Sequence, residues 1–270
     1  MGGAIYGVEL HCNREKARFL RVTKIDDLEL LRRSKYISSD LHTTFRDVRQ
    51  DLIEGKMVLF SGLPCQVDGL KRYLNKEYEN LLLIDLLCRG ANSPLVYSKW
   101  LAYCDSSGLC SVNFRNKDLG WKNNRITLSK GNTKVIYNEK VGTFSSLYWS
   151  HLILRKSCYN CRYADKRRYG DISLGDFWGL EKIFPDFDDD RGMNAVIINT
   201  TQGKVFWEKI VDNVDFRPYD FDAYVQLVGG ALKHGVNYPI ERDSFWKDFY
   251  TKKIHHVIKK YTSVFFSKGS

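Results

Sequence analysis

Met57-Val-Leu-Phe-Ser-Gly-Leu-Pro-Cys-Gln66 decides the fold. Met57 to Phe60 is a short apolar strand, Ser61-Gly62-Leu63-Pro64 is a turn, and the chain from about Gln66 to Leu74 has the spacing of a helix. A second apolar run, Leu81 to Leu87, then reads as another buried strand, interrupted only by Asp85. Strand, Gly/Pro turn, helix and strand again is the βαβ pattern of a mostly parallel sheet, in which ligands gather outside the carboxyl ends of the strands. Cys65 and Cys88 both stand at such ends.

Upstream, Gly2–Leu10 and Arg18–Ile25 read as strands, Asp26–Arg33 as a helical run and Thr44–Glu54 as a polar helix. Downstream come a helix near Pro94–Tyr103, antiparallel strands over Ser111–Tyr137 and an aromatic-rich helix over Thr143–Leu154. Asp171–Gly179 carries Gly and Asp at turn positions, Asn194–Asn199 is a buried strand, Lys204–Val211 a helix, and Ser244–Phe265 one closing helix. The fold class is therefore mixed α/β, a mostly parallel sheet flanked by helices with an antiparallel subdomain. Without a repeat or a long linker, residues 1–270 are expected to form one domain. Its parts are 1–110, an insertion with the Cys-x-x-Cys over 111–180, and a C-terminal part over 181–270.

The chain is 43% apolar and 14% aromatic, which excludes a disordered protein, and carries a formal charge of +10. No apolar run reaches the roughly eighteen residues of a membrane span, and no signal pattern opens the chain, so a cytoplasmic location is expected. The charge suits nucleic acid, an anionic cofactor, an acidic protein or a membrane surface equally. No nucleic-acid motif is recognisable.

Seven cysteines, an odd number with one tight pair, read as metal ligation with spare thiols better than as disulfides. Cys158-Tyr-Asn-Cys161 lets two thiolates face one metal centre. Cys65 and Cys88, near one sheet edge, are the candidates to complete an iron-sulfur site with it. A structural zinc at the pair, within a non-catalytic basic binding module, is the alternative, and each single cysteine could equally be a small buried hydrophobe. Cys12, Cys104 and Cys110 are expected to be non-ligands. Arg155, Lys156, Arg162, Lys166, Arg167 and Arg168 surround the pair and form either a solvated basic face or a docking face for an acidic electron carrier. Asp186–Asp190 lacks calcium-loop spacing, and adjacent His255 and His256 face apart on a helix, so no metal is assigned to either. The closing helix has an apolar side suited to core packing or to an anionic membrane surface.

Five ordered motifs resemble those of the coenzyme F420 hydrogenase/dehydrogenase beta-subunit family. They are Arg33-Ser-Lys-Tyr-Ile-Ser-Ser39, Leu59-Phe-Ser-Gly-Leu-Pro-Cys-Gln66, Asp85-Leu-Leu-Cys-Arg-Gly90 with Ser93-Pro94, Ser157-Cys-Tyr-Asn-Cys161 and Gly170-Asp-Ile-Ser-Leu-Gly-Asp-Phe-Trp-Gly179. The resemblance implies a 4Fe-4S cluster on Cys65, Cys88, Cys158 and Cys161 beside FAD. It also implies electron transfer among a ferredoxin or flavodoxin carrier, the cluster, the flavin and a small hydride-accepting substrate, either deazaflavin-like or a polysaccharide precursor. Lys35, Ser39, Gly62 and Gln66 are placed to meet a flavin, and Asp176 and Gly179 to close over its ring. Arg89 stands where the family often has histidine. The ferredoxin-like module and the Ser-Gly-Gly helix that usually precede this region in the family have no counterpart in the sequence. The expectation is that the flavin site is completed by a partner subunit, or that the chain is a remnant.

Overall fold

The computed structural model describes residues 2–11, 16–104, 108–131 and 134–266. Cys12 lies outside the described residues, as do Ser106 and Ser107 of the turn expected between Cys104 and Cys110. The strands are β1 (Ala4–His11), β2 (Lys16–Val22), β3 (Ser39–Asp40), β4 (Val58–Gly62), β5 (Leu81–Leu86), β6 (Leu109–Asn116), β7 (Arg125–Lys130), β8 (Lys134–Ile136), β9 (Ile172–Asp176) and β10 (Asn194–Ile198). The helices are α1 (Thr44–Ile53), α2 (Pro64–Leu74), α3 (Pro94–Tyr103), α4 (Glu139–Trp149), α5 (Lys156–Tyr159), α6 (Leu180–Ile183), α7 (Thr201–Ile210), α8 (Phe221–Val228), α9 (Arg242–Thr251) and α10 (Ile254–Phe266).

Seven strands form one sheet in the order β10-β9-β5-β4-β1-β2-β3, and β6-β7-β8 form a separate antiparallel sheet. At the centre of the large sheet β1, β4, β5 and β9 run parallel, while β2 and β10 pair antiparallel with β1 and β9. This is the mostly parallel, helix-flanked α/β architecture with an antiparallel sheet that the βαβ pattern implies. Alternate residues of β4, Val58, Phe60 and Gly62, are buried, and Phe60 packs with Val67 and Leu70 of α2 and Val48 and Leu52 of α1. Burying each such side chain stabilises the fold by roughly 1.5–3 kcal/mol. A second core joins α3, α4, α9 and α10 to the small sheet around Trp100, Phe114, Phe144 and Phe245. A third gathers Phe177, Leu180, Tyr224 and Val225.

Four sequence expectations are corrected. Asp171–Gly179 is largely a strand, because Ile172 to Leu174 pair with β5 on one side and all of β9 pairs with β10 on the other. The single closing helix is two, α9 and α10, since Lys252 adopts an extended backbone between them. The aromatic helix begins at Glu139, where the Asn138 side chain accepts from Val141 N, and it ends at Trp149, so His151 is outside it with φ of 60°. The Asp26–Arg33 run is a 3-10 helix over Ile25–Leu31. Cys104 packs half-buried against the second core, and Cys110 lies on β6.

Candidate functional site

A cavity of about 780 Å³ opens outside the carboxyl ends of β4 and β5, and Cys65, Cys88, Cys158 and Cys161 all line it. Cys65 comes from the first turn of α2, where Pro64 occupies a position whose missing N–H costs the helix nothing. Cys88 follows β5 by two residues.

Backbone pairing brings the distant Cys-x-x-Cys to them. Ser93 N donates to Ile153 O at 2.9 Å and Arg155 N to Ala91 O at 3.0 Å, around an antiparallel bridge between Asn92 and Leu154. Beyond the pair, the chain is tied back to β5 through Asp85, which is fully buried. Its carboxylate accepts from Tyr169 N and Gly170 N, both at 2.9 Å, and from Arg168 Nη2 at 2.7 Å. The aspartate that interrupts the apolar β5 run is therefore the anchor of the segment that follows the cysteine pair.

Gly90, with φ of 110°, makes the turn after Cys88 possible, since a Cβ there would lie 2.7 Å from a Leu154 methyl. Two backbone amides point at sulfur: Gly90 N donates to Cys88 Sγ at 3.3 Å and Ala91 N to Cys158 Sγ at 3.4 Å. Burial pushes the Cys88 thiol up to about 12; the Gly90 amide opposes this, and the nearby Cys65, Cys158 and Cys161 thiols add to it. Burial also raises Cys65, followed by the effect of Cys161 and Cys158, although this residue sits exposed at the mouth. Burial and the neighbouring sulfurs thus both favour the neutral thiol at Cys65 and Cys88. Among the described residues no group of three or more Cys, His, Asp or Glu side chains is placed to hold a metal ion.

Of the expected flavin contacts, Ser39 and Gln66 line the same cavity. Gln66 accepts from Leu63 N at 2.9 Å and donates to Ser39 Oγ at 2.9 Å. Lys35, Gly62, Asp176 and Gly179 are not brought to its wall. The Lys35 ammonium is held by the Leu31 and Arg32 carbonyls at 2.7 and 2.5 Å, and burial lowers it to about 8. Gly62 packs under Gln66, Asp176 takes both its bonds from Arg115 Nη1, and Gly179 starts α6 against Leu227.

The expected basic face is smaller than the sequence implies, because Arg168 is buried with Asp85, Arg162 reaches Asp68 at 3.4 Å and Lys166 pairs with Asp222. Among the described residues Arg155, Lys156 and Arg167 join no ion pair, and Arg155 lines the cavity.

Sequence reasoning missed Ser38, whose hydroxyl is buried without a partner in this wall, and the segment from Gly230 to Asn237. No sequence signal marks this segment, where a Cβ on Gly235 would stand 3.0 to 3.1 Å from Cys161 N, Tyr159 O and Cys158 O.

A parallel-centred α/β sheet with four thiols converging beyond its carboxyl edge defines the class, an α/β domain built around a cysteine-lined ligand cavity. More narrowly, the chain belongs to the coenzyme F420 hydrogenase/dehydrogenase beta-subunit family: the description of that subunit's C terminus matches residues 55–221. Kinship with oxidoreductases follows from this membership. The fold is also similar to a chain from a xenon-derivatised structure of the F420-reducing [NiFe] hydrogenase complex from Methanosarcina barkeri. The TM-score is 0.53 at 14% identity over 97% of this chain and 78% of that one, a likeness of fold. No curated protein matches the sequence. Among the described residues no helix is long and apolar enough to cross a membrane.

Proposed function

We propose that the protein is an iron-sulfur flavoprotein oxidoreductase in which Cys65, Cys88, Cys158 and Cys161 ligate one 4Fe-4S cluster. The observation that carries this reading is the convergence of four cysteines from three separate segments on a single cavity. The donor set fits the group: all four are thiols, and amides point at two of the sulfurs. A structural zinc at the Cys-x-x-Cys, the competing reading, lacks a third close ligand among the described residues.

The cavity exceeds what four thiols need. Its remaining wall of Ser38, Ser39, Phe45 and Gln66 supports FAD beside the cluster, with the unpartnered Ser38 hydroxyl as a bond waiting for a ligand oxygen or nitrogen. Bound together, the two groups would supply one-electron and two-electron exchange at one place. The chain's own residues do the rest. Gly90 and Ala91 amides stabilise sulfur charge, Gln66 fixes Ser39 at the mouth, and Gly235 packs against the backbone of the Cys158–Cys161 pair. Arg155 and Lys156 beside the opening suit an acidic carrier such as ferredoxin or flavodoxin, with a small hydride acceptor, deazaflavin-like or a polysaccharide precursor, as substrate. A partner subunit that completes the flavin site fits the same reading.

Anaerobic purification tests it. Brown protein with about four iron and four sulfide per chain and releasable FAD is expected. Colourless protein with one zinc would select the binding-module reading instead.

A further inference from the structure

Arg242, at the start of α9, is buried at 5% exposure, yet it has no ion pair among the described residues. Its Nε donates to the Tyr159 hydroxyl at 2.8 Å and its Nη2 to Leu154 O at 3.0 Å. The guanidinium lies against three rings, those of Tyr159, Tyr238 and Trp246, with centroids at 5.1, 5.5 and 5.6 Å. Among the described residues the carboxylate linked to this group is Asp243, which is exposed and reached through the Tyr238 hydroxyl at 2.6 Å. A buried cation without a counter-ion is costly, and an arginine cannot relieve the cost by losing its proton. Carbonyl, hydroxyl and ring faces offset part of it.

What lies beside this charge gives it a role. Tyr159 is the residue between Cys158 and Asn160, its hydroxyl donates onward to His151 O at 2.5 Å, and Leu154 is the partner of Asn92 in the bridge that carries the pair to Cys88. Arg242 thus grips both ends of the segment from Leu154 to Tyr159. Any side chain of similar bulk could fill the space among three rings, but only a permanent cation adds a fixed positive potential there.

We propose that Arg242 is a buried counter-charge behind the four-cysteine centre, in addition to Arg89 and Arg155 on the cavity wall, and a positioning residue that holds Tyr159 and raises the reduction potential of whatever the thiolates ligate. The proposal rests on the iron-sulfur reading above. Each electron delivered from an external reductant adds one negative charge to the centre and releases no proton. A nearby cation screened from water stabilises that reduced state more than the oxidised one.

The test uses the full chain, purified anaerobically, as native protein and as Arg242→Gln, Arg242→Lys, Tyr238→Glu and Tyr238→Gln. Dithionite titration with mediator dyes gives the midpoint potential, and iron is counted on the same samples. Arg242→Gln is expected to keep its iron while the reduced-to-oxidised ratio, read at the native midpoint, falls about tenfold, a shift of about 59 mV for one electron. Arg242→Lys should stay within about twofold of native. Tyr238→Glu leaves the arginine in place and sets a carboxylate against it, so its ratio should fall as well, whereas Tyr238→Gln should not move it. Iron-loaded Arg242→Gln titrating at the native midpoint overturns the proposal and leaves the cluster reading intact. If Arg242→Gln does not fold, equal midpoints for Tyr238→Glu and Tyr238→Gln overturn it. Native protein without iron overturns both together.

Discussion

Cys65 is exposed while Cys88, Cys158 and Cys161 are half-buried, so one site meets both core and solvent. Removing any of them should be felt at the shared centre. Cys88→Ser is expected to lose more than half of its bound iron by metal analysis. Cys104→Ala, which alters a thiol packed against the second core, should retain the native amount. Equal iron loss in both would detach the metal from this cavity. The four cysteines were legible because each carries a local signal: two follow apolar strands and two share a two-residue spacing. Ser38, Gly235 and Arg242 carry none. A serine without a bond partner, a glycine pressed against a distant backbone and an arginine among three rings acquire meaning only through contacts far along the chain. Lys35 and Asp176 illustrate the converse, since the family motifs single them out but nearby groups occupy their charges.

At the level of elements, the ion pair between Arg168 and Asp85 ties the segment after the cysteine pair to the end of β5, with side chains 2% and 0% exposed. Substituting one partner leaves the other buried and uncompensated. Arg168→Gln is therefore expected to lower unfolding stability by about 3–5 kcal/mol in urea titration. A loss of only a few tenths would mean that Asp85 is satisfied by the backbone amides alone. A second network joins β1, β2 and α1, where Asp51 accepts from Tyr6 at 2.6 Å, Arg21 at 2.7 Å and Lys56 at 2.8 Å. Burial alone would raise the Asp51 carboxyl, but the hydrogen bonds from Arg21, Lys56 and Tyr6 outweigh it and hold the group well below the usual carboxylate range. With a folded value below the unfolded one near ~3.9, its stabilisation is complete above that value and is lost as pH falls through the folded one. Asp51→Asn should accordingly cost most stability at neutral pH, and its deficit against the native protein should shrink below about pH 4. A constant deficit from pH 7 to pH 3 would show that ionisation is not the source. Element types were read correctly where the apolar pattern was strong, as in β4, α2 and, despite its buried Asp85, β5. The reading failed at Asp171–Gly179 because a Gly/Asp-rich segment becomes a strand only when neighbours on both sides bond to it.

Across the whole molecule, the βαβ core places two cysteines at adjacent strand ends, and the Asn92–Leu154 bridge, with the Asp85 anchor beyond it, brings the other two to the same edge. The meeting of Cys65 and Cys88 was foreseeable from topology, since parallel strands present their carboxyl ends on one side. The wall supplied by Gly230–Asn237 was not, because it lies past the last strand of the sheet and beyond the region shared with the family, residues 55–221. The most direct test of the central claim is anomalous diffraction at the iron edge from crystals grown without oxygen. One compact peak enclosed by the sulfurs of Cys65, Cys88, Cys158 and Cys161 is predicted. A cavity without an iron signal, or a single metal bound by Cys158 and Cys161 while Cys65 and Cys88 remain free, would contradict it.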